Sequence, residues 1–135
     1  MTTPFGPQLI GETEKTLVAL LRRFLDGTGL TEPQWVTLRV AGLLDGSAVY
    51  RDGLAEAVAD RAHFPDAAEL VDSMTTQGLI ENGRLSDGGH ELVAAVLAKS
   101  EAATRQIWKD LPADDVAATT RVLNEVLNRA RGVLQ

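Results

Sequence analysis

Cysteine is absent from this sequence of 135 residues. Its absence excludes disulfide bonds, thiolate metal sites and cysteine nucleophiles. The two histidines, His63 and His90, lie far apart and form neither an HxH nor an HxxxH pair. A zinc site would therefore have to recruit scattered carboxylates that no spacing singles out. We expect neither a metal nor a cofactor.

Long apolar runs are also missing. No stretch approaches the roughly 20 residues that a membrane-spanning helix requires, and the first eight residues lack the positive charge of an export signal. The hydrophobic content of 44% and the charged content of 24% are ordinary for a folded domain. We expect a single domain over residues 1–135, located in the cytoplasm and without a membrane partner.

Positive charge is scarce, with 13 Lys and Arg residues against 19 Asp and Glu residues and a net charge of −6. Most of the excess falls between Arg51 and His90, where three basic and eight acidic residues give −5. Contacts from Lys and Arg to phosphate supply most of the sequence-independent affinity of nucleic-acid-binding proteins. The charge of this segment is therefore unusual for a protein that binds DNA.

Apolar residues at helical spacing predict four helices in the first 77 residues of the chain. A capping box, with Thr31 as the cap and Gln34 three residues later, begins the second helix, and a very short strand is expected at 48–50. Pro65 suits the first position of the fourth helix, and Gly78 ends that helix. The predicted ranges of the four helices are 8–25, 31–44, 52–62 and 65–77.

A minimal β-hairpin follows the fourth helix. Residues 79–81 and 84–86 flank the pair Asn82-Gly83, which is typical of a two-residue type I′ turn. Ser86 is the predicted cap of a long helix from Asp87 to about Asp110, whose first turn is weakened by two glycines. The break at Pro112 separates this helix from a last one at 113–134.

This order of elements predicts a mainly α protein with a winged helix-turn-helix at about 48–86. Long helices at 8–25 and 87–134 flank it, and the wing is reduced to the minimal hairpin. The apolar stripes of these terminal helices need a partner, which a two-fold dimer would provide. We therefore expect a homodimer whose terminal helices form the dimer interface.

Five short strings resemble MarR-family regulators and occur in order over nearly the whole chain. They are LTEPQW at 30–35, LVD at 70–72, GLI at 78–80, RLSDGG at 84–89 and LPADD at 111–115. The resemblance implies a triangular helical dimer with a winged helix-turn-helix in each subunit. It also implies a small-molecule pocket near the dimer interface.

By this resemblance, residues 65–77 are the major-groove recognition helix and 52–62 its supporting helix. The sequence departs from the family where arginines commonly lie, because it carries Glu69 there together with Ser73 and Gln77, and its wing is shorter. Asp66 and Glu69 also lie in the first turn, where carboxylates stabilise a helix whatever its function. The expected DNA contacts are Arg51, Ser73, Thr76, Gln77 and Arg84.

The resemblance also places a ligand pocket among the first, second and fifth helices. Trp35 and Trp108 are the large aromatic residues there, and Arg39 lies one turn after Trp35. These residues would hold an anionic aromatic ligand by charge and stacking. The alternative is that both tryptophans pack in the core or the dimer interface, as apolar helix positions commonly do.

Two functions from different classes follow. The first is a MarR-type regulator of transcription that binds duplex DNA as a homodimer and responds to a small-molecule effector. The alternative is a winged-helix interaction or ligand-sensing module that has lost or weakened DNA binding, with its acidic face directed at a basic partner. No nucleophile motif and no Gly-rich phosphate loop occur, so no enzymatic activity is expected.

Overall fold

The computed structural model describes residues 2–45 and 53–135. Arg51, the short strand predicted at 48–50 and the predicted helix start at Asp52 lie outside the described residues. The architecture is mainly helical with one two-stranded sheet, as predicted. In chain order the elements are α1 (Pro7–Leu25), α2 (Glu32–Leu44), α3 (Leu54–Ala62), α4 (Ala67–Thr76), β1 (Ile80–Glu81), β2 (Arg84–Leu85), α5 (Asp87–Trp108) and α6 (Ala113–Leu134).

The capping box at the start of α2 is confirmed. The Gln34 backbone N–H donates to Thr31 Oγ1 at 3.3 Å, and the Thr31 N–H donates to Gln34 Oε1 at 3.0 Å. Two backbone donors that would otherwise lack a partner in the helix are thereby satisfied. The boundary between α1 and α2 is thus fixed by local side-chain chemistry.

The predicted start of α4 was wrong by two residues. Pro65 lies in a turn, and the helix begins at Ala67. His63 ends α3 in the left-handed conformation, with φ 57°, and Asp66 at the cap of α4 has φ −104°. The first helical hydrogen bond accordingly joins the Leu70 N–H to the Asp66 carbonyl oxygen at 3.0 Å.

Gly78 ends α4 as predicted. Its φ is +79°, a left-handed conformation that costs glycine little. The Leu79 N–H then donates to the Met74 carbonyl oxygen at 3.0 Å, which closes the helix end. The chain is thereby turned directly into the hairpin.

The hairpin is antiparallel and pairs Ile80 with Leu85 and Glu81 with Arg84. Asn82 and Gly83 at its tip have φ values of 54° and 76°. Two successive positive φ angles define the type I′ turn that the Asn-Gly pair predicts. The minimal wing is confirmed.

The chain divides into two compact units, Met1–Ser100 and Glu101–Gln135. The first contains the hydrophobic core, to which α1 to α5 and the first strand all contribute. The buried members of this core are Leu25, Leu30, Trp35, Leu38, Val40, Ala41, Leu54, Ala57, Val58, Ala67, Met74, Ile80, Val93 and Val96. This core is what holds α3, α4 and the hairpin in place.

The second unit contains the end of α5 and all of α6. Helix α6 buries none of its residues. Large apolar side chains of this unit are instead exposed, at Ile107, Trp108, Leu111, Val116, Val122, Leu123, Val126, Leu127, Val133 and Leu134. No helix in the described ranges is both long enough and apolar enough to cross a membrane.

Candidate nucleic-acid interface

Helix α4 has one face in the core and one face in solvent. Ala67, Leu70 and Met74 are buried. Glu69 and Asp72 lie on the exposed side, as the helical spacing predicts. The apolar side fixes the position of the helix, and the polar side is available to a partner.

The last turn of α4 brings together three of the predicted DNA contacts. Thr76 and Gln77 are exposed, whereas Ser73 is half-buried. Gln77 Nε2 donates to Ser73 Oγ at 3.3 Å, so these two side chains already interact. This turn presents hydroxyl and amide groups, which read bases by hydrogen bonding without adding charge.

Arg84, the predicted contact of the wing, is exposed on β2. Its partner across the hairpin is Glu81, and paired residues of antiparallel strands share one face. A shallow cleft of about 430 Å³ is lined by Glu81, Arg84 and Asp87 together with Asn82, Leu85 and Ser86. The cation of the wing therefore lies among carboxylates.

Ser86 joins α4, the hairpin and α5. Its Oγ accepts from the Gly89 N–H at 3.0 Å, which confirms Ser86 as the cap of α5. The same Oγ donates to the Gly78 carbonyl oxygen at 2.5 Å, and the Ser86 N–H donates to the Leu79 carbonyl oxygen at 3.0 Å. Sequence reasoning found the cap but missed the bonds back to the end of α4.

Gly89 allows α5 to approach the backbone that precedes β1. It is buried, and a Cβ at this position would collide with the Leu79 carbonyl oxygen and lie 3.1 Å from Leu85 Cδ2. From the sequence, Gly88 and Gly89 were expected only to weaken the first turn of α5. At Gly88 a Cβ would meet nothing closer than 3.8 Å, so only one of the two glycines is required by packing.

Solved structures of other proteins are similar to this fold. No protein-family model matches the sequence, and no curated protein matches it. A MarR family protein from Bacillus stearothermophilus is 19% identical, with a TM-score of 0.54 over 95% of this chain and 99% of that one. BpsR from Bordetella bronchiseptica, whose DNA binding is regulated by 6-hydroxynicotinic acid, is 17% identical, with a TM-score of 0.59 over 92% and 97%.

The chain has a MarR-like winged-helix fold. The fold expected from the five short strings is therefore confirmed. In this fold α3 and α4 form the helix-turn-helix, β1 and β2 form the wing, and α1, α5 and α6 are the long flanking helices.

The helix-turn-helix and wing of this MarR-like fold carry a strongly acidic surface. Between residues 53 and 90 the only basic side chains are those of Arg61 and Arg84, and both are exposed. Seven acidic residues occupy the same range, namely Glu56, Asp60, Asp66, Glu69, Asp72, Glu81 and Asp87. Phosphate groups approaching this face would meet repulsion as well as attraction.

Two of the three predicted ligand residues come together. Trp35 is 6% exposed and belongs to the core, and the guanidinium carbon of Arg39 lies 5.8 Å from the centroid of its ring. This is a cation–π contact at the surface. Trp108 is 54% exposed at the end of α5, in the second unit. The burial of Trp35 agrees with the alternative of a packing role.

A cleft of about 510 Å³ near the end of α1 and the start of α2 was not predicted. It is lined by Arg22, Asp26 and Glu32 together with Leu25, Gly27, Gly29, Leu30, Thr31 and Pro33. Lys99 of α5 donates to the Asp26 carbonyl oxygen at 3.2 Å.

In residues 2–45 and 53–135, no cluster of His, Asp and Glu side chains suited to a metal ion occurs.

Proposed function

We propose that the chain is a transcriptional regulator that binds duplex DNA as a homodimer, through α4 and the wing. One observation carries this proposal: α4 is anchored by its apolar face and exposes a continuous polar face beside a β-hairpin. In winged helix-turn-helix proteins a helix in this position enters the major groove. Arg51, Ser73, Thr76, Gln77 and Arg84 are the proposed contacts, in a winged helix-turn-helix at about 48–86.

The acidic surface sets the expected mode of binding. Carboxylates of α4 accept hydrogen bonds from the exocyclic amine of cytosine in the major groove, and the amide of Gln77 pairs with adenine. Contacts to phosphate then depend on a few cations, chiefly Arg84. We therefore expect modest affinity and a strong dependence on base sequence.

The test is fluorescence anisotropy on duplexes selected from a random-sequence pool at low salt. Arg84→Ala should weaken binding and reduce the slope of log affinity against log salt by about 0.9 for each phosphate contact that is lost. Arg23→Ala removes an exposed cation of α1 instead and serves as the matched control. Equal losses in both variants, or no selected duplex, would contradict the proposal.

The homodimer is supported by the exposed apolar side of α6, since burial of such a surface drives association. We expect a dimer in analytical ultracentrifugation at micromolar chain concentration. Leu127→Glu should shift it toward monomer, whereas Asn128→Glu, at the neighbouring exposed position, should not. A wild-type monomer at that concentration would contradict the proposal.

A small-molecule effector is the third part of the proposal. Arg39 is exposed beside Trp35, so it is available to an anionic aromatic compound. The tryptophans at 35 and 108 are the only two in the chain and report binding by fluorescence. With 6-hydroxynicotinate as the probe, quenching that Arg39→Ala abolishes would support this site, and quenching unchanged by Arg39→Ala would contradict it.

One observation favours a second candidate of another class. The net charge of −5 between Arg51 and His90 suits a basic protein partner better than duplex DNA. In that case the MarR-like dimer is an interaction or ligand-sensing module without operator binding, and in neither case is it an enzyme. A stable dimer that selects no duplex, even at low salt, would favour this second candidate.

A further inference from the structure

The asparagine at the tip of the wing differs from the other two asparagines of the chain in its neighbour and in its surroundings. Asparagine occurs at 82, 124 and 128, and only Asn82 is followed by glycine. Asn82 and Gly83 are both exposed, and a Cβ on Gly83 would meet nothing within 4 Å. No side chain at position 83 shields the peptide nitrogen between these two residues.

We propose that Asn82 is a site of spontaneous deamidation. The Gly83 backbone nitrogen attacks the side-chain carbonyl carbon of Asn82, and its proton leaves to solvent. A five-membered succinimide closes as the carbon–nitrogen bond of the carboxamide breaks, and the departing amide nitrogen takes up a proton from solvent to leave as ammonia. Water then opens the ring at the side-chain carbonyl, which gives aspartate, or at the backbone carbonyl, which gives isoaspartate. No oxidation or reduction is involved.

The other two asparagines are held differently. Both lie within α6, where the following backbone nitrogen is part of the helical hydrogen-bond ladder. The side-chain amide of Asn124 also donates to the Thr120 carbonyl oxygen at 2.8 Å. Freeing a helical amide costs about one hydrogen bond, so we expect Asn82 to react faster than either by about tenfold or more.

Either product changes the wing at the point where its cation lies. A carboxylate at position 82 would be the third acidic group lining the cleft that contains Arg84, beside Glu81 and Asp87. Isoaspartate also inserts one extra atom into the backbone of a two-residue turn. The register that pairs Glu81 with Arg84 depends on that turn. Deamidation therefore works against any contact of the wing with phosphate.

The direct test is peptide mapping by mass spectrometry of the full-length protein during incubation at neutral and mildly alkaline pH. We expect aspartate and isoaspartate to accumulate at position 82, faster at the higher pH, with Asn124 and Asn128 as internal controls in the same digest. Asn82→Gly, which keeps a turn of positive φ, should remove the reaction. Equal rates at all three asparagines, or an unmodified Asn82, would overturn the proposal.

The effect on DNA rests on the proposed function and is measured separately. Asn82→Asp should weaken binding to the selected duplex, whereas Asn82→Gly should bind like the unmodified protein. Modification without any change in binding would confirm the site and contradict the role of the wing. If Asn82 stays unmodified while the Arg84→Ala variant binds weakly, the role of the wing is supported and the deamidation site is contradicted.

Discussion

Gly89→Ala is the substitution for which the structure makes the sharpest prediction. The added Cβ collides with the Leu79 carbonyl oxygen, which cannot move away freely because it accepts from the Ser86 N–H at 3.0 Å. The Leu79 N–H in turn is bound to the Met74 carbonyl oxygen at 3.0 Å. Relief of the clash therefore requires α5 or the hairpin to shift.

The magnitude follows from two opposing terms. Alanine in place of glycine in a helix gains up to about 1 kcal/mol of stability. Overpacking of a buried site costs about 1–3 kcal/mol, and a clash with backbone falls at the upper end because no rotamer relieves it. We expect the free energy of unfolding of Gly89→Ala to fall by about 2 kcal/mol. Gly88→Ala, at the adjacent exposed position, should gain about 0.5–1 kcal/mol.

The assay is urea denaturation followed by far-UV circular dichroism. The chain concentration is held constant, because the proposed dimerisation would make stability depend on concentration. The two variants differ by one position and carry the same chemical change, so differences in the unfolded state cancel. Opposite signs of the change in unfolding free energy are expected. Equal changes at 88 and 89 would refute the close approach of α5 to Leu79.

Two further substitutions test the core and the cap. Met74→Ala truncates a side chain with no solvent exposure. The free energy of unfolding should therefore fall by about 2–5 kcal/mol in the same urea assay. A loss below about 1 kcal/mol would contradict the place of Met74 in the core. Thr31→Ala removes the acceptor for the Gln34 N–H and should lower the free energy of unfolding by about 1 kcal/mol. Thr31→Ser keeps a hydroxyl acceptor and should preserve the cap. Equal stabilities of the two variants would contradict the cap.

Features fixed by neighbouring residues could be predicted from the sequence. The capping box at Thr31, the cap at Ser86 and the turn at Asn82-Gly83 each depend on the chemistry of two to four consecutive residues. The fold followed from the order of these elements and from five short strings that resemble one family. The start of α4 was misplaced by two residues, because the suitability of Pro65 for a first helical turn does not reveal the left-handed residue at His63.

The tertiary contacts could not be predicted in the same way. Nothing near Gly89 in sequence shows that Leu79 approaches it, and the second bond of Ser86 reaches back eight residues to Gly78. Trp35 illustrates the same limit, since its spacing on α2 fits both a pocket wall and a core position. Its burial in the core depends on residues of other elements.

The two faces of α4 are under different constraints. Ala67, Leu70 and Met74 bury their side chains and determine where the helix lies. Glu69 and Asp72 are exposed and contribute little to stability, so selection for folding constrains them weakly. A MarR-like fold is therefore compatible with a basic or an acidic recognition face. The proposed choice between duplex DNA and a basic protein therefore depends on the charge of the exposed face and not on the architecture.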